Sequence, residues 1–107
     1  MENENQRPWS EIWKEAADEW VDLEAAARLL EETKSAVLAQ REAACGDIPV
    51  NRATQLVKSS LEWMDHLEKV VDAKTASNKS WVKVEFYKMK YNEWVSQQAN
   101  ERTMARL

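Results

Sequence analysis

The chain has 107 residues, enough for one small domain, and carries a net charge of −4 with one Gly and two Pro. So little Gly and Pro excludes an all-β domain, whose many turns need residues that tolerate special backbone angles. A single glycine also removes the phosphate-cradling loops GxxxxGK(S/T) and GxGxxG, and no apolar run approaches the ~20 residues of a membrane span.

Residues 1–8, MENENQRP, are expected to form a disordered N-terminal tail, and residues 9–107 a single helical domain. The polar, acidic start has none of the marks of a signal peptide. One cysteine, Cys45, rules out an internal disulfide. Both features set the expectation of a cytoplasmic protein.

Helix signals begin at Pro8-Trp9-Ser10, with Ser10 as the expected N-cap and Glu11 favoured at the positive helix end. Apolar positions then repeat in sevens. One set is Trp13, Trp20 and Ala27; the other is Ala16, Leu23, Leu30, Val37 and Ala44, and together they form an a/d seam. Lys34 and Arg41 continue the first set, so the seam narrows towards its end, while Leu29 and Leu38 widen it on one side. This predicts a helix over about 10–45.

Gly46 sits where a helix C-cap needs left-handed geometry. The turn 46–50 includes Pro49, which can lie just before a helix but not inside one. Asn51 is the expected N-cap of a second helix over about 51–104. So short a connection implies an antiparallel helical hairpin.

The second helix first presents Leu56, Val57, Leu61, Trp63, Met64, Leu67, Val70 and Val71, and later Trp81, Val84, Tyr91 and Val95. The two arcs differ by roughly 90°, which four heptads of drift on a supercoiled helix account for. Val82, Val84 and Phe86 alternate with Lys83 and Glu85 as a strand would, but the alternation slips at Tyr87, so helix is the reading. Only the polar stretch 74–80, near Asn78, offers a break. Asn78, Glu85 and Asn92 recur in sevens and make one flank too polar for a dry core.

The predicted fold class is therefore all-α: a coiled-coil-like antiparallel hairpin with a long second helix, assembling into a multi-helix oligomer. Helix one would be ~54 Å long and helix two ~80 Å. Paired from the turn, helix one covers helix two only to about residue 86. The overhang beyond would dock on another copy of the chain or on a target protein.

No catalytic constellation and no metal or cofactor motif is visible. The only histidine, His66, shares a face with Glu62, and a hydrogen bond between them is expected. Cys45 reads as a small residue at a helix end. Three surfaces remain as candidates. The first is the aromatic overhang of Phe86, Tyr87, Lys90, Tyr91 and Trp94, suited to a protein partner. The second is the acidic patch of Glu11, Glu15, Asp18, Glu19 and Asp22. The third is Lys79, Lys83 and Lys90, which share a face with aromatics among them, as in single-strand nucleic-acid binders. The acidic chain does not favour nucleic acid. Residues 1–47 hold twelve acids and five bases, a net of −7; residues 48–107 hold seven acids and ten bases, a net of +3. The halves can attract each other within or between chains.

The pattern Trp20-Val-Asp-Leu-Glu-Ala-Ala-Ala-Arg-Leu-Leu-Glu-Glu, then Ile48-Pro-Val50, Glu62-Trp63, Val71-Asp-Ala-Lys-Thr75, Val84-Glu85 and Glu93-Trp94 resembles small all-helical proteins of temperate phages and prophages. The resemblance covers about residues 18–106 and holds no catalytic motif. It implies a phage accessory protein inside the bacterial cell, one that assists recombination or inhibits a host nuclease or defence system, CRISPR–Cas included. Secreted helical hairpins with Trp-x-Gly at the turn are a weaker likeness, since the turn here is Cys45-Gly46-Asp47.

Overall fold

The computed structural model describes residues 7–107; residues 1–6 of the expected tail lie outside the described residues. Three helices follow in order: α1 (Trp9–Ala44), α2 (Val50–Lys58) and α3 (Leu61–Arg106). No strand occurs among the described residues, and Ser80–Val95 lies wholly within α3.

α1 starts earlier than Ser10 would have it. The Pro8 carbonyl accepts the N–H groups of Glu11 and Ile12 at 3.1 and 3.2 Å, so Ser10 lies inside the first turn. Pro8 supplies no N–H of its own and suits the place before a helix. The helix ends where Cys45 and Gly46 donate to the carbonyls of Glu42 and Ala43, and Gly46 takes a φ of +86°. That left-handed turn is the expected C-cap.

The expected second helix is two helices. Pro49, not Asn51, occupies the N-cap of α2, and no side chain caps it. The break falls at Ser59-Ser60, a pair the sequence reading passed over. Ser59 Oγ donates to the carbonyls of Gln55 and Leu56, and Ser60 Oγ donates to that of Val57 at 2.6 Å while accepting Trp63 N–H at 3.2 Å. The serine hydroxyls thus share the carbonyls that the Ser59 and Ser60 N–H groups also reach as α2 ends, and Ser60 N-caps α3. The suspected break near Asn78 does not occur: α3 runs unbroken through 74–80.

The chain forms two compact units. One holds the described residues up to Asp22 together with Asn78–Leu107; the other is Leu23–Ser77. In the second unit, α1 and α3 pack together with α2, whose Ala53 and Val57 are buried, as are Ala27, Trp63 and Val70. Lys74 of α3 reaches Glu31 of α1 at 3.1 Å. In the first unit, Ala16 and Val84 are buried, and three aromatic pairs join α1 to α3. Trp20 meets Trp81 with ring centroids 4.8 Å apart, Trp13 meets Tyr91 at 5.4 Å, and Trp9 meets Tyr87 at 6.3 Å.

Along α3 the inward positions Trp63, Val70, Ser77, Val84 and Tyr91 step in sevens, and all are buried or half-buried. Two small serines, Ser77 and Ser80, are buried in the stretch expected to offer a break. Asn78 and Asn92 are exposed and Glu85 half-buried on a flank of the helix, not at its seam. Leu29, Leu56, Leu61, Met64, Val71, Trp81 and Val95, all counted as apolar face, stand exposed. The inward heptad thus carries the rings Trp63 and Tyr91 towards its ends and small Ser77 at its middle.

Candidate interaction surface

The aromatic end of α3 differs from its expected form. Tyr87 and Tyr91 are half-buried against Trp9 and Trp13, so α1 covers α3 as far as Tyr91 instead of stopping near residue 86. Two causes act together. α2 takes up residues that the single-helix count had assigned to pairing, and long Trp side chains reach beyond their own backbone positions. The overhang is correspondingly shorter: Trp94, Val95, Met104 and Leu107 are its exposed large apolar residues.

Phe86, Lys90 and Trp94 form a row at i, i+4 and i+8 on α3. Phe86 and Trp94 are about half exposed, at 49% and 46%. Phe86 lies edge-on to Tyr87 at 5.5 Å, and Trp94 leans on Tyr91 at 6.4 Å. Lys90 Nζ sits 5.6 Å from the centre of the Phe86 ring and 3.5 Å from Glu93. The two tyrosines, held by α1, thus fix the rotamers of a pair of exposed rings, and the lysine between them is a cation over a ring face.

The lysine face is largely engaged within the molecule. Lys83 pairs with Glu19 across the helix pair at 3.5 Å and Lys90 with Glu93; among the described residues Lys79 has no ion pair. The acidic patch is likewise compensated at four of its five residues, Asp22 having no ion pair among the described residues. Glu11 and Glu15 pair with Arg7, Asp18 with Lys14 at 2.8 Å, and Glu19 with Lys83. The hydrogen bond to Asp18, and then its charge, hold the Lys14 ammonium above the ordinary lysine range. Alternating charges on neighbouring turns leave little of a single-sign patch. Beneath its edge a cavity of about 260 Å³ opens between Trp9, Ile12, Ala16 and Tyr87, with Glu15 and Lys83 at the rim.

His66 does not form the expected bond to Glu62. Its ring stacks on Trp63 at 5.5 Å, and its Nε2 is buried without a hydrogen-bond partner. Cys45 is a free, half-buried thiol whose sulfur lies 3.4 Å from the Arg41 carbonyl. Among the described residues no group of three or more His, Cys, Asp or Glu could hold a metal ion, and no helix is long and apolar enough to cross a membrane.

The sequence reading missed two outward stripes of α3. One is Leu61, Met64 and Val71 in the second unit; the other is Val82, Phe86 and Met89 in the first. Leu61, Met64 and Val71 had been assigned to the core. The signal that separates them from it is the strict seven-residue step of Trp63, Val70, Ser77 and Val84, which turns Met64 and Val71 about 100° away from the seam and Leu61 to its far side.

Comparison with known protein families, curated proteins and solved structures found no match to this chain.

Proposed function

We propose that this chain is a non-enzymatic accessory protein that acts by binding another protein, with the row Phe86, Lys90 and Trp94 as its contact surface. The observation that carries this reading is Trp94. It is a large ring held by Tyr91, half exposed past the last α1 aromatic pair, where a partner's pocket can take it. Exposed Trp beside an aromatic and a cation is the composition of binding hot spots. The likeness of the sequence to phage and prophage accessory proteins directs the reading further. The target is a host nuclease or defence system, CRISPR–Cas included, that the protein inhibits, or a recombination protein that it assists.

The test is capture of a bacterial protein from host lysate on the immobilised chain, quantified by mass spectrometry for wild type and Trp94→Ala. A hot-spot loss of about 2 kcal/mol would lower capture roughly thirtyfold. Circular dichroism should be unchanged, because Trp94 packs on one neighbour only at the ring level. Full capture by a helical Trp94→Ala protein removes the row as the site and turns attention to the edge of Glu11, Glu15, Asp18, Glu19 and Asp22. Single-strand nucleic-acid binding is the weaker reading, since the chain carries a net charge of −4 and Glu85 and Glu93 lie beside the lysines. A steep fall of oligo-dT affinity with salt would revive it.

A further inference from the structure

We infer that the chain pairs with a second copy of itself, α3 antiparallel to α3, the stripe Leu61–Met64–Val71 of one protomer lying on the stripe Val82–Phe86–Met89 of the other. Each stripe is a run of large apolar side chains left open to solvent. Leu61, Met64 and Val71 are 80%, 51% and 59% exposed; Val82 and Met89 are 68% and 61%. Scattered apolar residues on a surface need no explanation, but runs at helical spacing are unusual.

The charges on the two stripes say what covers them. Leu61, Met64 and Val71 are bordered by Asp65, Glu68 and Asp72, and among the described residues none of these three acids has an ion pair. Val82, Phe86 and Met89 are bordered by Lys79, Lys83 and Lys90 on the flank that corresponds to Asp65 and Asp72, with Glu85 and Glu93 also adjacent. An acid-edged apolar stripe and a base-edged apolar stripe are complementary, and one chain carries both. An antiparallel alignment that sets Lys83 opposite Asp72 also sets Lys90 opposite Asp65, because both pairs step by seven in opposite directions. The same alignment brings Val82 to Val71 and Met89 to Met64, and places Phe86 between those two layers. Apolar and charged contacts therefore select one register. In an antiparallel pair like flanks face each other, and this is the arrangement that joins the acidic edge of one helix to the basic edge of the other. Each contact recurs on exchanging the copies, as a two-fold interface requires.

The areas agree. One stripe alone exposes roughly 300–350 Å², well below the ~800 Å² per partner of a standard interface. Both stripes together offer roughly 700 Å² of apolar surface, to which the flanking stems of Lys83 and Lys90 add. The existing contacts of Lys83 with Glu19 and of Lys90 with Glu93 are both 3.5 Å long and largely solvated. They do not prevent a second carboxylate from joining the same ammonium. Phe86 belongs to both this surface and the target row, and in this register Leu61 falls level with residues 92–94, so Trp94 stands at the end of the paired stripes.

The experiment uses the full chain at tens of micromolar, with mass measured by light scattering. Wild type should give twice the 12.5 kDa of one chain, and the dimer should weaken as salt rises. Lys83→Asp with Lys90→Asp, and separately Asp65→Lys with Asp72→Lys, should each weaken self-association at least about tenfold. Mixing the two charge-reversed proteins should restore a dimer of one copy of each. A Cys45→Ser background with cysteine at position 71 in one protein and at position 82 in the other should cross-link on mixing. The position-82 protein by itself should not. Val71→Asp should dissociate the dimer while leaving capture of the target unchanged, which separates this pairing from the target site. A monomeric wild type overturns the inference. So does a mixture of helical charge-reversed proteins that stays monomeric, or a cross-link formed by position 82 alone.

Discussion

The two units solve the same problem in different ways. A pair of helices has only one seam to bury, and a two-helix seam is a thin core. The unit with the chain's early residues fills it with rings, pairing Trp9, Trp13 and Trp20 with Tyr87, Tyr91 and Trp81. The unit of Leu23–Ser77 has a single ring stack, Trp63 on His66, and adds a third helix, whose Ala53 and Val57 complete the burial. Ring area and an extra helix are thus interchangeable means of removing apolar surface from water. They differ in what they leave outside. The aromatic unit keeps its rings half exposed at the seam edge, where they can also serve recognition; the three-helix unit buries Trp63 to 5% exposure.

That difference should appear first in core truncations. Trp63→Ala is expected to cost about 3–5 kcal/mol in urea unfolding, because a buried ring leaves a cavity that three helices cannot close. Trp13→Ala, whose ring is half-buried, should cost only about half as much. Equal losses at the two sites would mean that the rings of the first unit carry as much of the fold as the buried core of the second.

Next come the two helix ends inside the three-helix unit. Ser60→Ala removes the hydroxyl that caps α3 and should cost about 1 kcal/mol. Gly46→Ala should cost a similar ~1 kcal/mol, entirely through backbone strain at φ +86°, since a methyl group there would meet nothing within 4 Å. Thermal melts followed at 222 nm measure both. An unchanged Ser60→Ala protein would indicate that packing of Val57 and Trp63, not the serine, sets the break.

The smallest contrast is in pH dependence. In the three-helix unit the hydrogen bond from Lys74, with help from Lys34, holds the Glu31 carboxyl below the ordinary carboxylate range. Its contribution is therefore present above that ordinary range and is lost as pH falls through the lowered value. In the aromatic unit Lys14 is raised by Asp18, so its contribution is present below the ordinary lysine range and is lost as pH rises through the raised value. Glu31→Gln should flatten only the acid limb of a melting-temperature profile, and Lys14→Gln only the alkaline limb. Both groups are exposed, so shifts of a few degrees at most are expected. An acid limb unaffected by Glu31→Gln would show that the bond to Lys74 is not kept in solution.

Much of the architecture was legible in the residues. The heptads of Trp13, Ala16, Trp20, Leu23, Ala27 and Leu30 marked the buried side of α1, because a 3.5-residue repeat commits one side of a helix to a partner. Gly46 marked its end, because a left-handed residue costs every other side chain more. Helix over Ser80–Val95 followed from the phase slip at Tyr87. The target row was legible only in part: Phe86, Lys90 and Trp94 could be placed on one helix, but not the α1 rings that hold their neighbours.

Tertiary structure decided the rest. Whether Ser59-Ser60 continues a helix or ends it depends on a near balance between the backbone ladder and serine hydroxyls, with Val57 and Trp63 buried on either side of the break. Which of two apolar arcs on α3 faces inward was decided by approach of the helices. Small Ser77 and Ser80 are buried there, while Met64 and Val71 stand exposed. Hydrophobicity alone ranks those residues in the opposite order. A sequence states how apolar each side chain is; only the packed helices set how much room each position has.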